Sequence, residues 1–296
     1  MASRSARRAD DRAVAGVVAG IIMLGALVAF LALFTAVWVP TYVSNKEASH
    51  ATDVKSAMDA YADAVEDHIG RNVLSRSFSR TMPLGVEGIP VLGKGASGGD
   101  LAVEPPPTLT ADLGATPNVA SASGAVSLST HTTQYPNQTY RYALGAIETS
   151  QSDGAFVDLR SVLGAQRSSG GHLALTLQVV DLTGAPQAVA GNGAASIGGT
   201  LNAVANHTLA ADPYLRINIT GLPGTAGAWR AAINRTLASD ILTADPWSTT
   251  DCYAASAHNY CFPSATNSAT RVDLLIRDIA DGSTIVVGTV AAEIRG

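Results

Sequence analysis

The chain has 296 residues, of which 47% are hydrophobic but only 5% aromatic, and 28 are glycine. That balance fits a β-rich protein of small residues and argues against a dense, aromatic-cored enzyme. A formal charge of -5, with three lysines among 19 basic residues, leaves no basic surface for phosphates and excludes nucleic acid as a partner.

Residues 1–13 form a basic leader in which Arg4, Arg7, Arg8 and Arg12 outweigh Asp10 and Asp11. Residues 14–39 are predicted as a transmembrane helix, because the 27 residues from Ala13 to Val39 carry no charge. At about 1.5 Å per residue such a run crosses a hydrocarbon core of roughly 30 Å. It is too long for the apolar core of an ordinary secretory signal, and Phe34-Thr35-Ala36-Val37-Trp38 offers no small-residue cleavage site. The arginines therefore predict a cytoplasmic N-terminus with everything after about Pro40 outside. Trp38 and Tyr42 fall where aromatic side chains favour the interface. Gly16 and Gly20, then Ala26, Ala29, Ala32 and Ala36 at three- or four-residue steps, suggest a small-residue face for helix association. Membrane lipid and further copies of the chain are thus the expected partners.

Residues 40–73 read as an amphipathic stalk helix. Ala51, Val54, Met58, Tyr61 and Val65 make a narrow apolar stripe, Asp53, Lys55, Asp59, Asp63, Glu66 and Asp67 occupy the other faces, and Gly70 offers a stop. Two heptads are too few for an autonomous coiled coil, so the stripe is expected to pack on the following domain or on a neighbouring copy. Pro40 marks a kink or a break between the two helical halves.

Residues 74–296 read as an extracellular, β-rich, mainly antiparallel domain with one short packed helix, giving an α+β chain. Glycine and proline punctuate the segment from Phe78 to Pro107, and the prolines at 105–107 suggest a stiff, polyproline-like crossing. Alternation predicts strands over Tyr140–Ile147 and His172–Val179. A terminal hairpin is expected around Asp281-Gly282. The glycines at 191, 193, 198 and 199 are read as turns. Trp229, Ile233 and Leu237, at four-residue steps, predict a helix anchored on the sheet by its tryptophan.

No catalytic, cofactor-binding or metal-binding residue is assigned. The histidines, at 50, 68, 131, 172, 207 and 258, show no metal-ligand spacing, and neither a nucleophile elbow nor a phosphate loop occurs. Cys252 and Cys261 are expected to close one disulfide outside the cell. Asn137, Asn206, Asn218 and Asn234 each begin an N-x-T sequon, a glycosylation candidate on an exported chain.

The arginine-rich leader ending Asp11-Arg12-Ala13, the apolar stretch from Val14 through Ala15, Gly16, Val17 and Val18, the amphipathic continuation and the β-rich exterior together resemble archaeal type IV pilin-like proteins. The pattern YPNQTYRYALGAIETSQSDG, from Tyr135 to Gly154, is similar to archaeal secreted proteins of unassigned function. The resemblance implies that a class III signal peptidase cuts the Ala13–Val14 bond. Two departures stand beside it. Val18 occupies the position where bacterial-type pilins carry glutamate, and Ala15-Gly16 the place of the Ser-Pro common in haloarchaeal ones. The expected role is a non-enzymatic subunit of a surface filament. A non-polymerising anchored receptor or adhesion module and a membrane-tethered envelope hydrolase are the alternatives.

Overall fold

The computed structural model describes residues 3–86, 97–160, 162–167, 172–241, 260–263 and 267–295, with the backbone alone for 3–16, 106, 212–213, 239–241 and 278. The chain is α+β: a long N-terminal helix leads into a mainly antiparallel sheet domain that carries one short helix.

The N-terminal helix is continuous, comprising α1 (Ser3–Leu33), one π turn (Phe34–Trp38) and α2 (Val39–Gly70). Of the two roles expected for Pro40, a break is ruled out. Proline has no N–H and its ring crowds the carbonyl one turn earlier, which normally interrupts a helix. Here the preceding turn is widened, with the Val39 N–H donating to the Phe34 carbonyl. That wider i→i−5 spacing absorbs the misfit. The helix ends at Gly70, but the left-handed residue beyond it is Asn72 (φ 51°).

The strands are β1 (Ser77–Pro83), β2 (Gly98–Leu113), β3 (Thr116–His131), β4 (Gln138–Ala143), β5 (Ala146–Gln151), β6 (Gly154–Asp158) and β7 (Leu163–Arg167). They continue with β8 (Leu173–Thr183), β9 (Gln187–Gly191), β10 (Ala194–Leu209), β11 (Asp212–Thr220), β12 (Tyr260–Cys261), β13 (Arg271–Ile279) and β14 (Ser283–Arg295). The short helix α3 (Ala226–Ile241) follows β11. Hydrogen bonding orders the main path β1-β10-β14-β8-β13-β11-β2-β3-β4-β5-β6.

Two apolar cores lie within this sheet, one under each docked helix. Beneath α3, Trp229, Ile233 and Leu237 meet Leu175, Ile217 and Leu274. Beneath α2, Val54, Met58, Tyr61, Val65 and Ile69 meet residues such as Met82, Val126, Tyr142 and Ile197. The long strands serve both. In β14, Ile285 and Val287 enter the first core, while Val290 and Ala292 enter the second. Plain alternation does this, because odd-numbered residues of β14 face one core and even-numbered ones, Val286 included, face the other. Gly288 lies on the side of the second core, where an added Cβ would lie 2.4 Å from Ile69 Cδ1. β8 divides in the same way, with Val179 in the first core and Val180 in the second, and its register with β14 runs without a shift. In β2 the register shifts between Glu104 and Thr108, so the three prolines form an irregularity inside a strand, not a separate crossing.

Three other expectations need correction. The run Tyr140–Ile147 is not one strand, because Leu144 (φ 56°) and Gly145 (φ 92°) make a tight turn between β4 and β5. Asp281-Gly282 does form a turn, yet β13 and β14 share no register. β14 instead runs parallel to β8 from Thr284↔Thr176 to Ala291↔Thr183. Gly198 and Gly199 lie inside β10, where the Phe78 ring covers Gly199.

Trp229 anchors α3 as its spacing implies, being 1% exposed. Its indole N–H also donates to Glu148 Oε2 at 3.0 Å, and Thr225 Oγ1 donates to the same oxygen at 2.9 Å. Glu148 is itself buried, so losing a donor leaves a desolvated carboxylate under-satisfied. Trp229→Phe is expected to cost about 2 kcal/mol beyond the effect of its smaller ring. The denaturant midpoint of Trp229→Phe, set against Trp229→Phe combined with Glu148→Gln, checks this.

Candidate membrane-spanning helix and its seat on the sheet domain

Among the described residues, Val17–Gly70 is the one helix long and apolar enough to cross a membrane. Its apolar window is 0% buried. From Val17 to Trp38 every residue is exposed except the half-buried Phe34. Two threonine hydroxyls in and just beyond this stretch are satisfied within the helix. Thr35 Oγ1 donates to the Leu31 and Ala32 carbonyls at 2.9 and 3.1 Å, and Thr41 Oγ1 donates to the Val37 carbonyl at 2.8 Å. Such internal pairing is what a nonaqueous surround demands.

An aromatic ridge runs along the outer part of this helix. Phe30, Phe34, Trp38 and Tyr42 follow at four-residue steps, with successive ring centroids 6.4, 4.7 and 5.1 Å apart. Lys46 Nζ closes the series 5.8 Å above the Tyr42 ring. At about 100° per residue, Gly25, Ala29 and Ala32 fall on the side away from Phe30 and Phe34. Gly20 falls on the aromatic side, so the small residues do not share a single face.

At Val39 the helix changes environment. Val39, Val43, Glu47, His50, Ala51, Val54, Met58, Tyr61, Ala62, Ala64, Val65 and Ile69 are buried on the sheet domain. The stripe expected from Ala51 to Val65 is therefore a seat on the following domain. Tyr61 stands between Phe78 and Tyr142, each 5.7 Å away by ring centroid. Burial pushes the Tyr61 and Tyr142 hydroxyls well above the usual tyrosine range, and Tyr140 up to about 12. All three phenols remain neutral at physiological pH.

Glu47 is the polar keystone of the seat and is 1% exposed. Its Oε1 accepts from the Thr133 N–H at 2.8 Å and from Thr133 Oγ1 at 3.0 Å. Its Oε2 accepts from the N–H groups of Gln134 and Tyr135 at 2.8 and 2.9 Å. Four donors thus converge on one carboxylate and bind the β3–β4 loop to the helix one turn past Val43. A turn further on, Tyr140 OH donates to the Ala51 carbonyl at 3.0 Å. Arg160, with φ 50° after β6, reaches back to Glu66, Asp63 and Asp59 on the outer side of α2.

Neither Glu47 nor Arg160 stands out in the sequence as a site residue. One signal for Glu47 was present: it continues the apolar series Val39, Val43 at four-residue spacing, so a charge falls on the face that must be buried.

The sequence-assigned residues are scattered. Ala13 and Val14 lie within α1, whose helical backbone begins at Ser3, so no structural boundary marks that bond. Cys261 is on β12, whereas Cys252 lies outside the described residues, as does His258. Asn137 and Asn206 are exposed; Asn218 and Asn234 are half-buried. His131 Nε2 pairs with Asp100 Oδ2 at 2.6 Å, and His68 Nδ1 lies 2.7 Å from the Ala64 carbonyl. Among the described residues no three His, Cys, Asp or Glu side chains converge as metal ligands. Comparison with protein-family models, with curated proteins and with solved structures finds no match to this chain.

Two predictions concern the seat. Glu47→Ala removes the acceptor for three backbone N–H groups at once and is expected to destabilise the domain by about 3 kcal/mol or more. Glu47→Gln, which keeps one acceptor oxygen, should cost less. Chemical denaturation of the full chain in detergent ranks the two.

The second concerns acid. His50 is 5% exposed and its Nε2 has no hydrogen-bond partner. Desolvation lowers its pKa below the ordinary 6.5, against the opposing pull of Asp53, the Leu84 backbone and Glu47. The fold therefore favours the neutral ring, and this contribution is complete above pH 6.5. It is lost as the pH falls from there towards the lowered folded value, because the unfolded chain takes up the proton first. Denaturation midpoints measured from about pH 7 down to pH 5 should decline, and His50→Gln should flatten that decline.

Proposed function

We propose that this chain is a single-pass cell-surface protein without enzymatic activity, whose N-terminal helix both anchors it and joins copies together, as in a type IV pilin-like subunit. The basic leader stays in the cytoplasm, residues 17–38 lie in lipid, and the sheet domain faces the medium.

One observation carries the reading: a single unbroken helix is bare and apolar over its first part and seated on the domain over its second. A core helix would bury the first part, and a detachable signal would not continue into the packing of the mature domain. The arginines from Arg4 to Arg12 favour retention of the leader on the cytoplasmic side.

The two sides of the apolar part supply the argument for assembly. The bulky Phe30 and Phe34 lie on one side, and the small Gly25, Ala29 and Ala32 lie on the other. Small residues let a neighbouring helix approach closely in lipid. Because ridge and groove lie on opposite sides, a ridge-in-groove contact between copies is heterologous and leaves a free ridge at one end of the assembly and a free groove at the other. Contacts of that kind propagate as open assemblies unless a rotation closes them.

The test is the N-terminal residue of the protein recovered from salt-washed membranes or surface filaments of the cells that make it. Val14 is expected, as left by a class III signal peptidase. An intact Met1 or Ala2 on membrane-bound chain removes the pilin-like processing and leaves the plain anchored ectodomain. A soluble chain beginning after Val39 defeats the anchor itself.

A further inference from the structure

Four sequons, beginning at Asn137, Asn206, Asn218 and Asn234, are chemically alike, each with threonine two residues on. The fold makes them unlike. We infer that the exterior domain carries asparagine-linked glycans at Asn137 and Asn206 and none at Asn218 or Asn234. The inference rests on the exterior placement proposed above.

A glycan is joined through Nδ2, so the carboxamide must reach solvent with room for a sugar ring. Asn218 does not. It lies in β11 between Thr110 of β2 and Asp273 of β13, is half-buried, and its Oδ1 accepts from Arg271 Nε at 3.0 Å. Asn234 is held on α3, half-buried, with Oδ1 accepting from Tyr260 OH at 2.7 Å. A sugar on either one crowds the Arg271 or Tyr260 side chain that now holds the carboxamide.

Asn137 is exposed at the end of the β3–β4 loop. Its Oδ1 accepts from the Thr132 N–H at 2.7 Å and from Thr132 Oγ1 at 2.8 Å, which fixes the carboxamide by its oxygen. Asn206 and Thr208 are both exposed on β10, two residues apart and so on one face of the strand. The partner register of β1 stops at Thr200. Around Asn206, β10 therefore has β14 on one side and, among the described residues, no strand on the other. A bulky hydrophilic group there blocks edge-to-edge pairing between domains, a hazard of any open strand edge.

The transfer takes its sugar from a lipid-phosphate-linked oligosaccharide, named here by chemical class. Nδ2 forms a bond to the anomeric carbon as the bond from that carbon to the phosphate oxygen breaks. The amide gives up one proton, the lipid phosphate leaves with the electron pair, and no atom is oxidised or reduced.

The experiment isolates the full-length chain from the cells that make it and sequences the four sequon peptides by mass spectrometry, beside intact masses of N137Q and N206Q. In parallel, an impermeant amine label applied to intact cells reports whether the domain is outside. The expected result is a glycan on the Asn137 and Asn206 peptides, one glycan mass lost in each variant, and bare Asn218 and Asn234 peptides. A surface-labelled chain with either of the first two bare, or with sugar on either of the last two, overturns the inference and leaves the exterior placement standing. A bare chain that the label does not reach overturns the placement itself.

Discussion

The structure depends on one helix meeting two different surroundings without a break. From Val17 to Trp38 its side chains are exposed apart from half-buried Phe34, and from Val39 one side is covered by the sheet. A flexible joint between the halves would let the domain swing, whereas a continuous backbone ties its orientation to the helix axis. The π turn at Phe34–Trp38 preserves that continuity at the one position where proline would interrupt it. The wider turn sits at the end of the apolar stretch, directly before the seat begins.

Glu47 explains why the seat holds at its near end. Val39 and Val43, at 8% and 7% exposed, are less completely buried than Val54, Met58 and Tyr61 further along the helix, at 0%. A carboxylate with four donors adds a directional restraint there, and its burial cost is offset because each lone-pair direction is used. At about 1.5 Å per residue, Glu47 lies roughly 13 Å along the axis from Trp38. The loop it grips is thus held close to the apolar stretch. On the reading proposed above, that loop faces the lipid headgroups and transmits the orientation of the anchor to the domain.

Much of this architecture was legible in the sequence, and the failures have physical causes. The apolar stretch and the stripe from Ala51 to Val65 were visible because helical periodicity survives over many turns. α3 was visible because Trp229, Ile233 and Leu237 repeat every four residues. The turn at Leu144-Gly145 was hidden by uninterrupted apolar alternation, since a two-residue turn leaves the period-two pattern almost intact. The parting of β13 and β14 was hidden for another reason: Asp281-Gly282 specifies a reversal of direction, but which strand then pairs with β14 is settled by distant β8. The Glu47 seat was the hardest to see, because three of its four donors are backbone groups of residues that carry no signature.

The two-core arrangement follows from the same demand for burial. β8 and β14 serve both cores by plain alternation, odd-numbered residues meeting the core beneath α3 and even-numbered ones the core beneath α2. β2 differs, because Leu101 and Val103 enter one core and Leu109 and Ala111 the other, with the change at its three prolines. That change costs a local irregularity in the ladder. The arrangement gains a second buried surface on the same strands, so the seat of the N-terminal helix is built on strands that also carry the core beneath α3. Gly288 shows the coupling most directly, because the residue that Ile69 of α2 covers is next to Val287, which enters the other core. Loosening α2 therefore uncovers one side of a strand whose other side holds the core beneath α3, and the N-terminal helix belongs energetically to the domain it carries.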